Sequence, residues 1–326
     1  VSVVTQADPT TPAGSARALS ERRPLGDRSF QILALACGLL VLVILVLIAV
    51  STSQQASSWF TTEGWKIFTN NWNPAANQFG ALAFIYGTAI TAVIAIIMAV
   101  PVSVGIALLL TEVVPYRWSR PIVYVIDLLA VVPSVVWGLW GIIVFAPWIQ
   151  HIYSSIASGV NGIPVLDNLF GSPTSGASFF TAGIILAFMI TPIVTSLSRE
   201  VIATVPQIDR EGAYALGATR WEMIRGAVWP HSQGGVVGAV LLGLGRAMGE
   251  TIAVALVIGS SAVITSHLFA PGYNMAAVIA NQFGEATGVF RAALMGIGVL
   301  LFVFTIIINV IAHAVVDRSA RRMRGA

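Results

Sequence analysis

Between Ile32 and Val50 the chain offers only apolar side chains and one glycine, with Cys37 the nearest thing to a polar group. A backbone surrounded by lipid has to satisfy its own N–H and C=O groups, so about 20 such residues read as a helix that crosses a bilayer. Five further stretches meet the same condition. Ala81–Leu110 is uncharged and contains Pro101, and Pro121–Ile149 carries Asp127 as its one charge together with Pro133 and Pro147. Phe179–Ser198 includes Thr191-Pro192, Val236–Gly259 carries Arg246 and Glu250, and Ala292–Val316 closes the set. The expectation is an all-α polytopic membrane protein with six transmembrane helices. The first run is longer than the core of a secretory signal and no small-residue cleavage site follows it promptly, so it is read as a retained helix.

Composition supports the same conclusion. Charged residues make up 10% of the 326 and hydrophobic ones 56%, whereas a soluble domain carries about 25% charge. Lys66 is the only lysine and lies in Thr-Glu-Gly-Trp-Lys, so the chain has no phosphate-binding loop of the G-x-x-x-x-G-K-[ST] kind, and any nucleotide hydrolysis falls to a partner. A single cysteine excludes an internal disulfide and a cysteine-cluster metal site, and His151, His231, His267 and His313 form no spaced ligand motif. The chain is expected to bind no cofactor and to perform no covalent chemistry.

All but three of the 17 basic residues fall on one side of the expected spans. They occupy the N-terminal tail, the second-to-third and fourth-to-fifth connections and the C-terminal tail; Lys66, Arg246 and Arg291 are the exceptions. Both termini are therefore expected in the cytoplasm. The net charge of +3 is a topology signal rather than a nucleic-acid footprint. Residues 1–28 read as a disordered cytoplasmic tail, leaving 29–326 as the transmembrane domain. Among the external connections, 51–80 is aromatic and suits helices lying at the interface, while Asn274–Asn281 reads as a short interfacial or re-entrant piece or a plain linker.

The most informative cytoplasmic stretch is about 202–231. Pro206 closes one helix, Asp209 caps another beginning near Arg210, and Gly217 ends it; Trp221–Val228 then gives a second amphipathic segment ending at Pro230. Ala213, Leu216 and Gly217 share a small-residue face, fit either for docking another chain or for packing on the protein's own bundle. Glu211-Gly-Ala-Tyr-Ala-Leu-Gly217 followed by Val228-Trp-Pro230 resembles the EAA loop of bacterial ABC importer permeases. That resemblance implies the type I importer permease fold and a coupling helix seated in an ATP-binding subunit. It assigns that role to Glu211, Ala213, Ala215, Gly217, Arg220 and Pro230.

A charge within a span is a functional candidate because its burial in lipid is costly. Arg246 and Glu250, four apart in Gly243-Leu-Gly-Arg-Ala-Met-Gly-Glu-Thr251, are spaced for a direct ion pair on one helical face. The pair either locks the bundle or places Arg246 on a translocation path, where its fork of donors suits a passing oxyanion. Thr251, Ser134 and Asp127 complete the candidate path; Asp127 also suits a cap or an arginine partner. The runs Phe79–Thr88, Val132–Gly141, Thr191–Val201 and Gly245–Thr251 resemble those of the permease subunits of high-affinity phosphate importers. The resemblance implies a multi-pass protein of the bacterial inner membrane that passes inorganic phosphate. It further implies a second homologous permease subunit, two ATP-binding subunits that use ATP and Mg, and an extracytoplasmic phosphate-binding protein. Sulfate, molybdate or phosphonate as cargo, and an ion-gradient-driven transporter, are the alternatives.

Overall fold

The computed structural model describes residues 25–324 except 70, 71, 161, 172 and 174. The expected tail lies outside the described residues as far as Pro24, and the first helix, α1, begins at Leu25 and runs to Glu63. The chain divides into two units, Val1–Val50 and Ser51–Ala326. In the first, the apolar side chains of α1 are almost all exposed, as befits a helix whose solvent is lipid.

The second unit is helical apart from one small hairpin, β1 (Trp72–Asn73) paired antiparallel with β2 (Gln78–Phe79). After it come α2 (Leu82–Leu108), α3 (Tyr116–Val131), α4 (Ser134–Trp140), α5 (Ala146–Val160) and α6 (Pro164–Phe170). Then follow α7 (Phe179–Ala203), α8 (Gln207–Ala215), α9 (Arg220–Met223), α10 (Trp229–Gly249), α11 (Ile252–Val257), α12 (Met275–Gln282) and α13 (Gly288–Arg324). Among the described residues five stretches are long and apolar enough to cross a membrane: Ser29–Phe68, Leu82–Val113, Ser134–Val160, Phe179–Ala203 and Gly288–Ala314.

Two expected spans are cut. Pro133 holds Val132 out of the helical region (ψ 125°), so the third expected span breaks between α3 and α4, and its long apolar helix starts at Ser134 and continues to Val160. The fifth breaks at Glu250, whose ψ of 126° ends α10. There the Glu250 carboxylate accepts the N–H of Ala253 (3.3 Å) and so starts α11 instead of prolonging α10. By contrast, Pro101 and Pro192 sit inside continuous helices. The Ser103 hydroxyl donates to Thr191 O (3.2 Å) and Thr191 Oγ1 to Ala187 O (2.7 Å), tying the residue before Pro192 to α2 and to its own preceding turn.

Three π-turns each precede a proline. Leu109–Val113, Gly141–Phe145 and Ile224–Val228 each end one residue short of a proline: Pro115, Pro147 and Pro230. A proline cannot donate to the carbonyl four residues back and its ring crowds that carbonyl, so the preceding turn widens to an i→i+5 bond. Pro230 therefore does not end a helix as expected; α9, the π-turn and α10 run on without a break.

α7 is the most buried of the five long helices. Ile185, Leu186 and Ile190 sit in one core with Ala95 and Ala99 of α2 and with Ala247, Ala253 and Val254 from α10 and α11. The segment 258–274 threads into this body. Gly87 lies so close to Tyr273 O that a Cβ there would sit 1.9 Å from it, and Thr88 Oγ1 accepts the Met275 N–H (3.0 Å). Asn274 caps α12, whose first residues are buried, so this is an embedded piece rather than a surface linker. The aromatic stretch 51–80 is likewise drawn inward. Trp59 is fully buried and donates to Phe79 O (3.1 Å), and Trp72 donates to Gln282 Oε1 (3.0 Å). Both rings pack against the protein, fully for Trp59 and partly for Trp72, with their indole N–H groups paired there; Trp65 stays exposed.

Candidate functional site

The break before α11 lies beside the start of α4. A Cβ on Gly138 would meet Ala253 and Leu256, and one on Gly141 would meet Val257. Advancing along α4 advances the contact along α11, so the two run parallel and begin at the same end. Absent side chains let the backbones approach closely. α4 starts at Pro133 without a side-chain cap, and its helix continues to Val160. The Val136 N–H bonds to Pro133 O (3.0 Å), while the Ser134 and Val135 N–H groups have no partner among the described residues, at the positive end of the helix dipole.

Arg246, Glu250 and Thr251 gather at this break. The expected Arg246–Glu250 ion pair is not formed: α10 ends at Gly249, so Glu250 is no longer on the helical face of Arg246. Glu250 is half-buried, and Arg246 is exposed, with no ion pair or hydrogen bond among the described residues. Thr251 Oγ1 donates to Gly249 O (3.2 Å). Asp127 stands apart on α3, where it accepts from Ser196 Oγ of α7 (3.0 Å) and ties those helices together. Among the described residues no cluster of three or more His, Cys, Asp or Glu is placed to hold a metal ion.

The second candidate site is the loop of α8 and α9. Leu216 is the helix C-cap and Gly217 follows at φ 85°. Gly217 N–H bonds to Tyr214 O (2.9 Å) and Ala218 N–H to Ala213 O (3.1 Å), the paired bonds of a Schellman motif that glycine enters without strain. α9 opens on a capping box: Glu222 accepts from the Thr219 N–H (2.7 Å) and hydroxyl (2.8 Å), while the Glu222 N–H reaches Thr219 Oγ1 (3.4 Å). Helix α8 begins at Gln207, so Asp209 lies in its first turn rather than at its cap.

The small-residue face expected here is divided. Ala213 packs inward on a core with Ile202, Val205 and Met223. Ile208, Gly212, Ala215 and Leu216 form the outward face instead, with Leu216 90% exposed. Glu211 is exposed and accepts from Gln207 (3.2 Å), and Arg220 and Pro230 are exposed as well.

What anchors this loop was missed in the sequence. Arg210 donates to Glu112 Oε1 (2.9 Å), at the π-turn that ends α2, and also to Ile202 O in the last turn of α7 and to Val205 O just past it. This is the one salt bridge among the described residues, and its side chains are only 14% and 5% exposed. Glu112, the only acid between the second and third apolar runs, was the available signal.

Removal of one partner from a buried pair costs about 3–5 kcal/mol. Arg210→Gln is therefore expected to loosen the loop, with faster proteolytic cleavage near Thr204–Gln207 and a lower thermal midpoint; Glu112→Gln added to it should recover part of the loss. Unchanged cleavage in Arg210→Gln contradicts the anchor. The Thr219 backbone and side-chain hydrogen bonds hold the Glu222 carboxyl below its usual pKa of 4.5. A lowered carboxylate pKa stabilises above the unfolded value and loses that contribution as pH falls through the folded value. Amide exchange at Thr219 should accelerate as pH falls below the ordinary Glu range and through the lowered folded value, relative to a Glu222→Gln variant; parallel profiles contradict the capping box.

Comparison with known proteins adds the following. Residues 99–325 match the family described as binding-protein-dependent transport system inner membrane component. The phosphate transport system permease protein PstC of Mesorhizobium japonicum is 43% identical over 314 residues, covering 94% of this chain and 95% of that one. The protein of the same name from Xylella fastidiosa is 43% identical over 316 residues, 96% of each chain. A solved bacterial ABC transporter involved in the import of the acidic polysaccharide alginate has a chain of like fold, at TM-score 0.51 and 14% identity. The match covers 89% of this chain and 99% of that one.

Proposed function

Because the chain belongs to the family of binding-protein-dependent transport system inner membrane components, we propose that it is the membrane subunit through which an ATP-driven importer passes inorganic phosphate into the cell. Relatives that are phosphate transport permeases at 43% identity along almost the whole chain support the cargo. The observation that carries the reading is the broken helix at Glu250–Thr251, with an unpaired arginine one turn before it and the uncapped start of α4 alongside.

The chemistry of that place suits a tetrahedral oxyanion in transit. The Arg246 guanidinium offers two parallel N–H donors to two phosphate oxygens, and the first N–H groups of α4 add partial positive charge. Ser134 and Thr251 supply hydroxyls, Thr251 by exchanging Gly249 O for a phosphate oxygen. A path must bind its cargo weakly enough to release it. Glu250 supplies that limit: its carboxylate, bound to the Ala253 N–H, repels the phosphate while fixing the start of α11. Asp127 acts at a distance, by holding α3 against α7.

Both termini and the α8–α9 loop face the cytoplasm in this reading. The partners are a second permease subunit, a pair of ATP-binding subunits that carry ATP and Mg, and an external phosphate-binding protein. The exposed Ile208, Gly212, Ala215 and Leu216 face docks on an ATP-binding subunit, Glu211 and Arg220 border it, and Gly217 sets its end. Movement imposed on α8 reaches the bundle through Arg210, Glu112 and α2.

Uptake of radiolabelled phosphate by a deletion strain tests the reading. Arg246→Gln removes a charged hydrogen-bond donor pair worth about 1.5–3 kcal/mol, so uptake at limiting phosphate should fall about tenfold or more with complex yield unchanged. Wild-type uptake in that variant contradicts the path, and uptake rescued for sulfate but not phosphate contradicts the cargo.

A further inference from the structure

An open cavity of about 480 Å³ lies where the π-turn ending α2, the start of α3, the end of α7 and the start of α8 meet. Glu112, Tyr116, Arg199, Gln207, Arg210 and Tyr214 are among the side chains that line it. The charges in its wall do not balance. Arg210 is committed to Glu112 and to the carbonyls of Ile202 and Val205. Arg199 is half-buried and has no hydrogen bond or ion pair among the described residues. A guanidinium partly removed from water without an acceptor is a site for an anion.

Further features of the wall favour the same charge. Helix α8 begins at Gln207 after Pro206 with no side-chain cap; the Asp209 N–H bonds to Pro206 O (3.2 Å), and the Gln207 and Ile208 N–H groups have no partner among the described residues. Tyr116 brings a phenol, and the guanidinium of Arg120 sits 4.3 Å from its ring centroid, adding a cation at the rim. A planar fork of donors, a phenol and a free helix start together match a tetrahedral phosphate group better than a flat carboxylate.

We propose that this cavity binds a phosphate group, with Arg199 as its principal ligand. The site is separate from the proposed transport path and lies against the segment that docks on the ATP-binding subunit. The proposal rests on the reading above only for placing this face in the cytoplasm. Two sources meet there: free inorganic phosphate, and the headgroup of an anionic phospholipid in the inner leaflet. Exposed Trp118 and Tyr124 on α3 are side chains of the kind enriched at headgroup depth. A phosphate group bound there joins Arg199 of α7 to the start of α8, so occupancy bears on how the loop is held.

The test uses the whole transporter in phosphatidylcholine nanodiscs, without the external binding protein. Arg246→Gln is the background, so that phosphate on the transport path does not contribute. Equilibrium binding of radiolabelled inorganic phosphate is compared with and without Arg199→Gln, and native mass spectrometry after reconstitution with phosphatidylglycerol counts retained lipid. Arg199→Gln should weaken one ligand or the other about tenfold, the loss of one charge-assisted contact. Ala203→Phe, which fills the cavity and leaves the charge in place, should do the same. Loss confined to inorganic phosphate identifies a free-anion site, and loss confined to phosphatidylglycerol identifies a headgroup site. Equal binding of both ligands in all variants overturns the proposal while leaving the transport reading untouched, since that depends on uptake through Arg246.

Discussion

A peptide group in a hydrocarbon surround has no water to bond, and each unpaired one costs several kcal/mol. That constraint governs where this chain is allowed to be irregular. Its long helices run unbroken where lipid surrounds them, and they break at Val132–Pro133 and Glu250–Thr251, beside helices α4 and α11 that pack against each other. Two wide turns absorb Pro147 and Pro230 without a break, while a third closes α2 ahead of Pro115. The uncapped start of α4 therefore does not face hydrocarbon alone. It adjoins a break that carries a carboxylate and a hydroxyl, one turn from a free guanidinium, and an anion finds there what the backbone itself lacks.

The second dependence is electrostatic. The loop that projects from the bundle, α8 and α9, is held by local hydrogen bonds at Gly217 and Thr219 and by the nearly buried Arg210–Glu112 pair. The local bonds shape the loop; the ion pair decides what moves with it. Arg210 reaches both the turn that ends α2 and a carbonyl in the last turn of α7, the two helices that share the central core. A push on the outward face of α8 thus has a direct physical route into the bundle.

Much of the fold was legible because hydropathy reports solvent. The runs around Ile32–Val50, Ala81–Leu110, Phe179–Ser198 and Ala292–Val316 each became a long helix. Hydropathy is blind to backbone direction, however. Pro101, Pro133 and Pro192 look alike in sequence, yet only Pro133 breaks its helix; the hydroxyls of Ser103 and Thr191 support the chain near Pro192. The i,i+4 spacing of Arg246 and Glu250 suggested an ion pair on the premise of a continuous helix, and that premise fails at Gly249. The packing of Trp59 and Trp72 was not legible because an amphipathic ring suits an interface or a core equally, and only the position of Phe79 O and Gln282 shows what their indole N–H groups bond. The glycine at 217 was readable because a left-handed residue at a helix end admits few others.

The central claim is that the break at Glu250–Thr251 is open to water and visited by phosphate. Cys37 is the only cysteine, so a Cys37→Ser chain carrying Thr251→Cys gives one reporter in the assembled transporter. Its reaction with a membrane-impermeant thiol reagent, followed in proteoliposomes during ATP-driven phosphate import, measures both properties at once. The account predicts that Thr251→Cys is modified and that phosphate, but not sulfate, slows the modification several-fold. A thiol that stays unreactive while Leu216→Cys on the exposed loop reacts, or one whose rate ignores phosphate, would contradict it.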